Sequence, residues 1–231
     1  MFSNLPFIII LSNISTFIPF LGGILLLKKK PLNKDVKILI FLFIIAALTE
    51  VIFHLHLILG YPNTWISHFY TPIEYSLWLI ILSYWQHNVQ TSKIIRWSIP
   101  VYLILYITFE LIGLESIDAE TINYISRPIS LIVLSLVAAY TLLGLAFSSQ
   151  FRLIRFYRFW ILLAIFIYYM GSIIIYAFSF TQNRETLATL AELHSGLNIL
   201  HNLLFMIGII CIWKFGTGSN GEDFEQLEDK N

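Results

Sequence analysis

The chain has 231 residues, of which 58% are hydrophobic and only 12% charged, with 14 basic and 14 acidic side chains and a formal net charge of zero. A soluble domain keeps about 25% charged residues for its surface, so lipid must be the solvent for most of this chain. A zero balance gives no electrostatic footprint for nucleic acid. The single cysteine, Cys211, excludes an internal disulfide and any metal cage built from several cysteines.

Seven apolar stretches follow one another, at 5–27, 36–60, 66–86, 94–114, 125–147, 157–180 and 190–213. A helix needs about 20 apolar residues to cross a hydrocarbon core about 30 Å thick. The spacing therefore predicts an all-α polytopic membrane protein, with a seven-transmembrane-helix bundle over residues 1–215. Residues 216–231, acidic and glycine-bearing, read as a short disordered cytoplasmic tail. The first stretch is too long for the core of a signal peptide, and its lysines follow rather than precede it, so it reads as a retained helix.

Lys and Arg resist translocation. The odd gaps hold Lys28, Lys29, Lys30, Lys34, Lys37, Lys93, Arg96, Arg152, Arg155 and Arg158, whereas the even gaps hold Arg127 and Arg184. This bias places the N-terminus outside and the C-terminus in the cytoplasm. Arg127 reads as a side chain snorkelling to headgroups. Trp65, Trp85, Trp97, Trp160 and Trp213 sit near helix ends and read as interfacial anchors. Glu110 is likewise expected at the interface, and Pro72 is expected to kink the third helix.

An ionisable group at membrane depth costs roughly 2.5 to 3.5 kcal/mol on insertion scales, so it faces a partner or a cavity. The second helix carries Glu50, His54 and His56; the third carries His68, Tyr70 and Glu74; the seventh carries His194, Asn198, His201 and Asn202. Glu50 and His54 are four apart and share a face, as do Tyr70 and Glu74. His194, Asn198 and His201 follow i, i+4, i+7 and form one stripe. At about 1.5 Å rise per residue, Glu50, Glu74 and His201 reach similar depths near mid-membrane, and His54, Tyr70 and Asn198 lie a turn further out.

Three readings fit this set. The polar groups could glue helices together. They could line a pocket in the outer half of the bundle that binds a small molecule or ion, as in a sensor, using Glu50, His54, Tyr70, Glu74, His194, Asn198, His201 and Asn202. Or His54, His194, His201, Glu50 and Glu74 could hold zinc, which takes imidazole and carboxylate ligands and activates water for hydrolysis. Seven-helix intramembrane hydrolases of the adiponectin-receptor kind pair a helix-two His with His-x-x-x-His on helix seven. Here Asn198 stands four after His194, which departs from that pattern. The binding or sensor reading is preferred, with the zinc hydrolase and a structural subunit of a membrane complex as alternatives.

Several segments together resemble a bacterial family of small seven-helix integral membrane proteins. They are Leu48-Thr49-Glu50, the run from His68 through Thr71-Pro72 to Glu74-Tyr75, Phe159-Trp160-Ile161 with Tyr168-Tyr169-Met170-Gly171, and the run from His194 to Asn202. The resemblance covers nearly the whole chain. It implies a seven-helix fold in the bacterial cytoplasmic membrane and recurring polar positions, with no activity attached.

Overall fold

The computed structural model describes residues 7–28, 32–115, 125–148, 153–178 and 183–217. The tail beyond residue 217 and the side chains of Lys29, Lys30, Arg152 and Arg184 lie outside the described residues. Among the described residues the chain is all-helical: α1 (Phe7–Ser15), α2 (Phe17–Leu26), α3 (Lys34–Leu59), α4 (Thr64–Tyr84), α5 (Val89–Leu111), α6 (Ser126–Ser148), α7 (Tyr157–Phe178) and α8 (Arg184–Phe215).

The boundaries follow from local chemistry. The first apolar stretch divides into α1 and α2 at Thr16. Pro19 has no N–H for the Ser15 carbonyl, so the ladder loses a bond where the two pieces meet. Gly60 ends α3 with φ 73°, and its N–H caps the last turn. Asn88 and Asn183 accept from the N–H groups of Gln90 and Glu185 and start α5 and α8. The helix of the seventh apolar stretch begins before the stretch itself, because Asn183 lets it start in a polar turn at Arg184.

Six spans, α1 with α2, then α3, α5, α6, α7 and α8, are long and apolar enough to cross a membrane. The exception is α4, which is 21 residues long but carries His68, Tyr70, Pro72, Glu74 and Ser76. Its position explains its composition. α4 packs against α3, α5 and α6 and buries Thr71, Glu74, Tyr75, Trp78, Leu79 and Leu82 among others, so little of it needs to be apolar for lipid.

The helices close into a ring. α2 packs on α3, α3 on α4, α4 on α6, α6 on α7, α7 on α8, and α8 on both α1 and α2. α5 lies outside against α4 and α6. Pro72 is accommodated across this contact. It cannot bond the His68 carbonyl, which instead accepts the Tyr106 hydroxyl of α5 at 2.9 Å. Small residues bring helices close: a Cβ on Gly208 would meet Ile161 Cδ1 at 2.8 Å, and one on Gly22 would meet Met206 Sδ at 2.9 Å.

The interior divides along its length. In the half that holds the start of α3 and the ends of α4 and α8, Val36, Leu39, Ile81, Leu82, Ile161, Leu162 and Ile212 are fully buried. Trp85 was expected at the interface. It is instead 5% exposed, and its Nε1 donates to Asp35 Oδ2 at 2.7 Å. The Tyr157 hydroxyl donates to the same oxygen at 2.6 Å, and Arg158 lies 3.9 Å away. In the other half the helices stand around a cavity.

Candidate functional site

The cavity has a volume of about 920 Å³. Its floor is aromatic: Phe205 of α8 reaches Phe43 of α3, with ring centroids 5.1 Å apart, and Trp78 of α4 at 5.4 Å. Thus α8 meets α3 and α4 through side chains, although its backbone packs on α7, α1 and α2. All eight residues singled out by spacing and depth, Glu50, His54, Tyr70, Glu74, His194, Asn198, His201 and Asn202, border this one cavity. His56 does not; its ring packs on Trp65 at 5.4 Å.

Glu74 is 5% exposed and is paired with Arg127 of α6. The Tyr169 and Tyr70 hydroxyls donate to its other oxygen at 3.1 and 3.4 Å. The expected snorkelling of Arg127 to headgroups is therefore overturned: its side chain is 12% exposed and points into the bundle. The two residues just before Arg127 are held by a buried carboxylate. The Glu115 carboxylate, 1% exposed, accepts the N–H groups of Ile125 and Ser126 at 2.6 and 2.8 Å. It caps the start of α6 and complements the helix dipole, which fixes the register that turns the next residue inward. Glu110, expected at the interface, accepts from the buried His68 Nδ1 at 3.0 Å.

Glu50 and His54 lie at the cavity edge, 26% and 31% exposed, with Glu50 Oε1 3.3 Å from His54 Nδ1. His54 Nδ1 also donates to the Glu50 carbonyl at 2.9 Å, which leaves Nε2 to accept the Asn13 amide of α1 at 2.8 Å. Asn198 and Asn202 are occupied by α1: their amides donate to Ser12 Oγ at 2.9 Å and Ser15 Oγ at 2.8 Å. Those two are interhelical ties at the cavity wall. A smaller cavity of about 380 Å³ lies behind a partition made by Tyr70, Arg127, Tyr168 and His194, which border both spaces.

His201 is different from the rest. It is 8% exposed, stacks on Tyr168 with centroids 4.4 Å apart and planes at 18°, and touches Phe205 at 4.0 Å. Neither ring nitrogen has a hydrogen-bond partner among the described residues. A buried polar group left unpaired costs about 1–3 kcal/mol.

The zinc arrangement is not assembled. Glu74 is committed to Arg127 and two tyrosines, His54 is committed to Asn13 and Glu50, and His201 is surrounded by rings. Among the described residues no group of three or more His, Cys, Asp and Glu side chains is close enough to hold a metal ion. Sequence reasoning missed Arg127, Tyr169 and Asp35; the signal available for Arg127 was its place in an even, otherwise acidic gap, where a lone cation needs a partner. No family model, characterised protein or solved structure matches the chain. The function is therefore read from the site.

Proposed function

We propose that the protein is a seven-span membrane protein of the bacterial cytoplasmic membrane that binds a small molecule in the 920 Å³ cavity and responds to it. The N-terminus lies outside and the C-terminus in the cytoplasm, so the cavity sits in the outer half. Support for the orientation is the excess of Lys and Arg in the odd gaps. Support for the bacterial membrane is the family resemblance of the four segments. One observation carries the binding reading: eight of the ten polar residues that the sequence puts at membrane depth on α3, α4 and α8, together with Arg127, border a single volume in the size range of small-molecule pockets, about 300–1,000 Å³. Glue alone does not need a cavity, because polar groups that only tie helices pack against each other.

A cytoplasm-active reporter fused after Lys214 is expected to work, and one inserted at Asn63 is expected to fail. Activity at Asn63 reverses the orientation. For binding, native mass spectrometry of the purified protein should find a small molecule on the wild type and none on Ala46→Trp, whose indole would fill the cavity that Ala46 borders. A wild type that carries nothing, and that gains no thermal stability from any lipid, metabolite or ion offered to it, overturns the reading.

A further inference from the structure

The chemistry of the ligand follows from how the cavity is polarised and where it opens. Three observations bear on it.

The first is His201. Its ring packs between Tyr168 and Phe205, and its two nitrogens are unpaired and buried on a side chain that borders the cavity, so a partner in the cavity reaches them by a turn of the ring. A neutral imidazole offers one donor and one acceptor. The group that satisfies it is a hydroxyl, which can do both, or a carbonyl that takes the N–H.

The second is charge. Two carboxylates and one guanidinium border the cavity, and the guanidinium is already paired with Glu74. Glu50, beside a His54 whose Nε2 accepts, has no cationic partner: ionised it repels an anionic headgroup, and protonated it supplies no counter-charge for one.

The third is the mouth. Ile10 and Ile14 of α1 and Val51, Leu55 and Ile58 of α3 border the cavity and are also exposed on the outer face of the bundle, at 40% to 63%. α1 packs on α8 and α2, and a single hydrogen bond among the described residues, Asn13 to His54, crosses from α1 to this part of α3. The cavity therefore opens sideways between two apolar helix faces, toward the acyl chains rather than only along the bundle axis.

We infer that the cavity takes a neutral lipid-like amphiphile, admitted from the bilayer between α1 and α3, with its hydroxyl or carbonyl head held at His201 and its slim apolar tail lying in the mouth. This rests on the reading of the cavity as a ligand site and names the ligand class.

The test uses the full-length protein in phosphatidylcholine vesicles and a photoreactive monoacylglycerol bearing a diazirine on its acyl chain. Parallel vesicles carry lysophosphatidic acid with the same chain, which adds an anionic head. Expected is saturable labelling of peptides from α1 and α3 by the monoacylglycerol, competed by unlabelled monoacylglycerol, and weaker labelling by the anionic probe. His201→Phe should cut sub-saturating labelling about 10-fold, the loss of roughly one net hydrogen bond. His201→Gln, which keeps a donor and an acceptor, should recover most of it. The Tm of His201→Phe should not fall, which separates loss of a head contact from loss of the fold.

Labelling that does not saturate, or that is unchanged in His201→Phe, reports annular lipid and overturns the inference. Equal or stronger labelling by the anionic probe overturns the charge argument and with it the ligand class. If neither lipid probe labels but mass spectrometry finds a polar molecule that Ala46→Trp excludes, the amphiphile falls and the ligand site stands. If both measurements are blank, both fall.

Discussion

Each end of the helix ring buries a carboxylate, and the two are built differently. Asp35 takes an indole N–H and a phenol on one oxygen, with Arg158 at 3.9 Å, beneath a solid layer of Leu, Ile and Val. Glu74 takes a guanidinium and two phenols, yet it borders a cavity of about 920 Å³ floored by three aromatic rings. The first arrangement closes on itself and ties α3, α4 and α7 together. The second leaves space and an unpaired imidazole beside the pair. Polar residues in a membrane are thus not equivalent: those with partners act as ties, and one that borders a void with its nitrogens unpaired is the candidate for a site.

Four sets of substitutions break or sharpen this contrast. The largest effect is expected for Glu74→Gln. It removes the charge but not the guanidinium, and an uncompensated buried charge costs about 3–5 kcal/mol. A Glu74→Gln, Arg127→Met double variant should recover most of that loss. Chemical unfolding in detergent measures both; a Glu74→Gln protein as stable as wild type would mean that Arg127 escapes to headgroups and the pair is not structural. Gln would be tolerated at this position only if Glu74 faced neutral partners, and Arg127 removes that condition.

At the closed end, Asp35→Asn keeps an acceptor for Trp85 and Tyr157, and Arg158, 18% exposed, can turn outward. The expected cost is about 1–3 kcal/mol. A loss as large as that of Glu74→Gln would make the two ends energetically alike.

Packing gives a third comparison. A Cβ added to Gly208, in the closed half, would lie 2.8 Å from Ile161 Cδ1 and 3.4 Å from the Tyr157 carbonyl oxygen, whereas one added to Gly196, in the cavity half of α8, would meet nothing within 4 Å. Gly208→Ala should cost about 1–3 kcal/mol by overpacking. Gly196→Ala should stay within about 1 kcal/mol and lean toward stabilisation. Equal costs in thermal unfolding would remove the distinction between a dense and an open half.

The last comparison is expected to be a gain in stability. His201→Phe replaces an unpaired buried imidazole by a ring of similar shape between Tyr168 and Phe205. In a delipidated preparation it should stabilise by about 1–2 kcal/mol. A clear loss of stability would show that His201 holds the bundle, and the open end would then be another tie.

The sequence by itself determined the all-helical class and the set of polar residues, and it pointed to the solvent. Composition points to lipid, and apolar stretches separated by short gaps point to helices, because a helix satisfies its own backbone in a bilayer. The period of 3.6 put Glu50 with His54, Tyr70 with Glu74, and His194 with Asn198 and His201 on common faces, and matching depth singled out the residues that border the cavity. What it could not determine is which of them are engaged with one another. Asn198 and Asn202 are tied to serines of α1, and no local pattern announces that, since the partners are 186 and 187 residues away. Arg127 reads as an interfacial cation until Glu115 caps α6 and the ring closes around Glu74. Asp35 carries no spacing signal of its own, and only the ends of α4 and α7 supply the partners that bury it. In each case the deciding term is a contact between side chains from distant helices. Periodicity fixes a residue's face and depth, but only the packed ring decides what that face meets.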